Sequence, residues 1–122
     1  MRALENAAGA RNGRPAGESE NARPINLAHL ARQTMGDRSL EQEVLKLFVK
    51  QALAGRDAIL AANGPDRRRL AHGLKGSARS VGAFALADCL QIIEDDPTSI
   101  RDVRRVSPLV DDVCDFVAAI SR

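Results

Sequence analysis

A chain of 122 residues, 44% of them hydrophobic, builds one compact core rather than two. Its 18 Lys and Arg against 16 Asp and Glu leave a formal charge of +2, too close to balance to drive binding to nucleic acid or an anionic membrane. With no Trp or Tyr and three Phe, the core is aliphatic and Ala-rich, which favours helices over sheet, and no run of eighteen apolar residues offers a membrane span.

Residues 1–24 mix Gly, Pro, Ala, Asn and both signs of charge without apolar periodicity, and are expected to form a disordered tail preceding a domain over 25–122. The tail lacks the apolar stretch of a signal peptide, which points to a cytoplasmic protein. Cys89 and Cys114 fit neither a metal-ligand spacing nor a disulfide framework and are read as buried free thiols.

A short helix is expected from Asn26, whose side chain can cap the first turn while Ile25 staples onto Leu30, ending near Met35 and Gly36. A long amphipathic helix follows from Ser39, with Gln42 completing a capping box. It runs through Leu40, Val44, Leu47, Phe48, Leu53, Ile59 and Leu60 to the breaker Asn63-Gly64-Pro65. The third helix spans Asp66 to Val81 before Gly82, and the fourth runs from Ala83 to Glu94, stopped by Asp95-Asp96-Pro97. The last is capped by Thr98 or Ser99 and carries Ile100, Val103, Val106, Val110, Val113, Phe116, Val117 and Ile120, with Pro108 kinking or splitting it. The fold expected is all-α: an up-down-up-down antiparallel four-helix bundle preceded by a short N-terminal helix.

On a helical wheel of about 100° per residue, Leu70, Leu74 and Val81 fall opposite His72, so the core stripe faces away from the imidazole. Arg68, Arg69, Lys75 and Arg79 fall near His72, forming a basic strip on the outer face. Gly73 and Gly76 also lie there, although glycine in a helix costs about 1 kcal/mol relative to alanine. Small residues beside a histidine let a partner approach the ring closely. Neutral imidazole is a competent nucleophile, and a lysine one turn along supplies the charge a phosphoryl group needs. The sequence has neither a GxxxxGK[ST] loop nor a kinase-type glycine loop, so a phosphoryl group on His72 is expected to come from another protein.

The run His72-Gly73-Leu74-Lys75-Gly76-Ser77-Ala78, with Val81-Gly82-Ala83 and Leu86, resembles the signature of histidine-containing phosphotransfer (HPt) domains of two-component phosphorelays. The resemblance extends over roughly residues 25–120. It implies a monomeric four-helix bundle without a cofactor of its own, in which His72 takes a phosphoryl group from a receiver-domain aspartate and passes it to another receiver. On the same ground Lys75 steadies the phosphate, Gly76 leaves room for the receiver, and any Mg²⁺ sits in the receiver. Gly73 departs mildly from the other small residues usual at its position. Arg68, Arg69 and Arg79, with Lys75, would meet the acidic pocket of the receiver.

Two other readings compete. In one the bundle is a non-catalytic adaptor and His72 is incidental, so that His72→Ala leaves partner binding intact. In the other Arg67-Arg68-Arg69 binds nucleic acid, against which stand the scarcity of aromatic residues and the small net charge. The acidic groups Glu94-Asp95-Asp96 and Asp111-Asp112-Asp115 are expected to be solvated rather than to hold a cation, and His29, without lysine or glycine beside it, is not a second phosphorylation site.

Overall fold

A computed structural model describes residues 23–121, so the tail expected over 1–24 lies, except for its last two residues, outside them. Five helices follow in order: α1 (Leu27–Gln33), α2 (Arg38–Ala61), α3 (Gly64–Val81), α4 (Phe84–Asp95) and α5 (Ile100–Ile120). No strand occurs among the described residues. Helix α3 packs chiefly on α4 and α2, while α5 packs on both α4 and α2 and so closes a ring of four. The connections leave room only for antiparallel neighbours. The cross-helix bonds agree: Arg68 and His72 reach Glu94 while Lys75 reaches Gln91, numbers rising on α3 as they fall on α4.

The caps follow from side-chain chemistry. The Asn26 carboxamide accepts from the His29 amide at 2.9 Å, and Ile25 and Leu30 are both buried, as the staple pattern requires. Helix α2 begins earlier than expected. Asp37, not Ser39, is its N-cap, accepting from the Leu40 amide at 3.0 Å, because a carboxylate also answers the positive end of the helix dipole. Its core face is Leu45, Phe48, Ala52 and Ile59; Leu40, Leu47 and Leu60, counted in the expected apolar run, are exposed. At about 100° per residue Leu40 and Leu47 fall opposite the Leu45 stripe.

Gly82 ends α3 in the left-handed region with φ of 88°. Its carbonyl accepts from the Asn26 amide at 2.9 Å, and a Cβ there would stand 2.9 Å from the Asn26 carbonyl oxygen. Only glycine satisfies both the backbone angle and the close approach of α1. Pro108 does not split α5, which is continuous from Ile100 to Ile120. Val103, Val106, Val110, Val113 and Val117 form its buried stripe, and each fully buried Val, Leu or Ile contributes about 1.5–3 kcal/mol. Cys89 is buried as expected, but Cys114 is only partly so. His29 stacks edge-on against Phe84 with ring centroids 5.1 Å apart. No helix among the described residues is long and apolar enough to cross a membrane.

Candidate functional site

The inward stripe of α3 is Ala71, Leu74, Ala78 and Val81, which turns His72 outward with 68% of its side chain exposed. Gly73 and Gly76 flank it in ordinary helical backbone, and a Cβ on either would meet nothing within 4 Å. Neither packing nor backbone angle within the chain requires glycine at these two positions. Their smallness leaves the surface beside the imidazole open.

One nitrogen of the ring is held by the protein. His72 Nδ1 lies 2.9 Å from Glu94 Oε2, and the other carboxylate oxygen, Oε1, accepts from Lys75 Nζ at 2.5 Å. The Lys75 ammonium also donates to Gln91 Oε1 at 2.9 Å. The hydrogen bond from Lys75 is the largest influence holding the Glu94 carboxyl below its ordinary range; His72 acts in the same direction, and partial burial opposes them. A carboxylate only accepts, so the proton of the neutral ring belongs on Nδ1 and the lone pair on Nε2. The ring as a whole is exposed, and its Nδ1 is the nitrogen engaged by the protein.

Two sequence expectations change here. Lys75 is not part of an exposed strip: its side chain is 10% exposed, tucked against α4 by its partners. The wheel placed it near His72 by angle but carried no information about the neighbouring helix. Glu94, expected to be a solvated helix-end carboxylate, is 22% exposed and bridges His72 to Lys75. Register could have found it, since a tight antiparallel turn at Gly82-Ala83 sets residue 72 opposite residues 93 and 94. The polar face of α4 that carries Gln91 and Glu94 is spaced by three residues, as a second signal.

The arginines divide. Arg67 is buried and donates to the carbonyls of Ile59 and Pro97, each at 2.9 Å, so it is not available to nucleic acid. Arg68 Nε donates to the Glu94 carbonyl at 3.0 Å. Arg69 is exposed and pairs with Asp66 at 3.1 Å, and Arg79 is exposed one to two turns beyond His72. On the α2 side of His72 a shallow, largely apolar groove runs past Gly73, lined by Gln51, Ala54, Ala58 and Leu70. A larger groove between α2 and α5, at Val49, Cys114 and Val117, is remote from His72 and contributes nothing to its chemistry. Asp95 and Asp96 take hydrogen bonds from Gln91 and Thr98, and no cluster of three or more His, Cys, Asp or Glu among the described residues could hold a metal ion.

The family model of the Hpt domain matches residues 43–119, from the first turns of α2 almost to the end of α5. No curated protein and no solved structure gives a significant match. The matched stretch contains His72, Lys75 and Glu94, the whole of α3 and α4, and most of α2 and α5. The chain belongs to the Hpt domain family, whose members carry phosphoryl groups on histidine in two-component phosphorelays and interact with receiver domains.

Proposed function

We propose that His72 Nε2 accepts a phosphoryl group from the aspartyl phosphate of one receiver domain and delivers it to the aspartate of another. The observation that carries this reading is the ring itself: exposed, held through Nδ1 by Glu94, and flanked by two glycines that nothing inside the chain requires. In the step the Nε2 lone pair forms the N–P bond while the P–O bond to the receiver aspartate breaks, the carboxylate leaving with the electron pair. The proton on Nδ1 stays in place. The ring gains positive charge, which the Glu94 carboxylate opposes at 2.9 Å, so the product is stabilised without a separate base. Return of the group to a carboxylate is the same step reversed.

Lys75 supplies positive charge beside the ring, held by Glu94 and Gln91 until the phosphoryl oxygens arrive. Gly73 and Gly76 admit the receiver's active-site edge, and Arg68, Arg69 and Arg79 present positive charge to its acidic pocket. The protein acts in this reading as a cytoplasmic monomer that carries the group without a nucleotide site or a cofactor of its own. The test is to load one receiver with labelled phosphate, add the chain, and then add a second receiver. Label passing through the chain to the second receiver supports the carrier role. Binding of receivers without label on the chain would favour the adaptor.

A further inference from the structure

Glu94 sits where a helix is weakest. It is the second-last residue of α4, whose last turn contains no basic residue and whose end carries Glu94, Asp95 and Asp96, all opposed by the negative end of the helix dipole. Yet this is the residue that fixes the His72 ring. The compensating charge comes from α3: Arg68 Nε donates to the Glu94 carbonyl at 3.0 Å, and Arg67 Nη1 donates to the Pro97 carbonyl at 2.9 Å just beyond the helix. Arg67 Nε meanwhile donates to the Ile59 carbonyl at 2.9 Å, in the last turn of α2, which also contains no basic residue. Two successive arginines thus bring cations to two helix C-termini that the sequence leaves without them. Arg67 is buried with its guanidinium on backbone carbonyls and, among the described residues, without an ion pair, an arrangement that serves geometry rather than charge neutralisation.

We propose that Arg67 and Arg68 are positioning residues for phosphoryl transfer, locking the end of α4 against the first turns of α3 so that the Glu94 carboxylate stays on His72 Nδ1. Arg68 therefore has work to do before any receiver arrives, in addition to its charge. The inference rests on the phosphocarrier reading only for its rate measurement, because the state of the ring is read on the isolated chain.

The experiment compares the full chain with Arg68→Ala, Arg68→Lys and Arg69→Ala by two readouts. The first is the pair of side-chain ¹⁵N signals of His72 at about pH 8.5, where an ordinary imidazole is neutral. The second is the transfer rate from a phosphorylated receiver as receiver concentration is raised to saturation. In wild type one nitrogen is protonated and the other bare. In Arg68→Ala the two signals move toward each other as the ring samples both tautomers, and the saturating rate falls about three- to tenfold, the loss of one ordinary hydrogen bond. Arg68→Lys, which keeps a donor, recovers part of both. Arg69→Ala raises the receiver concentration needed for half-saturation and leaves the nitrogen signals where they were. For the buried partner, Arg67→Lys keeps the cation but has a single nitrogen that cannot span the Ile59 and Pro97 carbonyls, and shows the same convergence of signals as Arg68→Ala. Wild-type nitrogen signals in Arg68→Ala overturn the proposal, and if the half-saturating receiver concentration has risen at an unchanged saturating rate, Arg68 acts in docking alone. A wild-type chain that takes no label from any receiver defeats the carrier reading while the nitrogen signals still decide the positioning role.

Discussion

At the scale of single residues, the site depends on one carboxylate with two partners. Glu94→Gln keeps an acceptor for Nδ1 but removes the charge that opposes the phosphorylated ring and holds Lys75, and transfer to His72 should slow by about tenfold. A time course of label uptake measures this, and an unchanged rate would remove Glu94 from the chemistry. The same carboxyl gives a pH dependence of definite sign. Its pKa is depressed in the fold, so its contribution is present above the ordinary value of 4.5 and is lost as pH falls through the lowered folded value. Thermal melts of wild type and Glu94→Gln should therefore differ near neutrality and converge in acid. Little of this was legible in the sequence. The wheel found His72 outward and Leu74 inward because those are properties of one helix, whereas Lys75 and Glu94 are defined by a contact between two.

At the scale of elements, the glycines of α3 and of its C-cap make opposite predictions. Gly76 has open space around its missing Cβ, so Gly76→Ala should raise stability by up to about 1 kcal/mol through helix propensity alone. Gly76→Gln should be tolerated by the fold and yet block transfer, since its side chain would stand where the proposed carrier role brings the receiver. A denaturant titration and a transfer assay on the same proteins separate the two effects. Gly82→Ala should destabilise by about 1–3 kcal/mol, because it adds left-handed strain and drives a Cβ against the Asn26 carbonyl that ties α1 to the bundle. Hydrogen exchange should show α1 loosening first. Element boundaries were readable where a strong local signal stood at the end, as at Asn26, Gly82 and the 95–97 stop. They were misread at Ser39 because Asp37, two residues earlier, is the stronger cap.

At the scale of the whole molecule, the bundle is a frame that holds three side chains from two helices on one outer face. An aliphatic composition, four amphipathic segments and short breakers were enough to derive a helical bundle, and the family match over residues 43–119 agrees with it. The sequence did not reveal that α4 supplies Glu94 and Gln91 to the site, since register across a hairpin is a property of the turn and of the packing of both helices. Nor did it show that Arg67 is buried among backbone carbonyls, because an arginine in a run of three resembles its exposed neighbours until the fold is known. The atom proposed to carry the phosphoryl group is His72 Nε2. Wild type and His72→Gln are each incubated with a phosphorylated receiver, and the labelled chain is tested for acid lability and, by nuclear magnetic resonance, for the nitrogen that bears phosphorus. Acid-labile label on wild type alone, attached at Nε2, is the expected result. Label that survives acid, or that appears equally on His72→Gln, would contradict it.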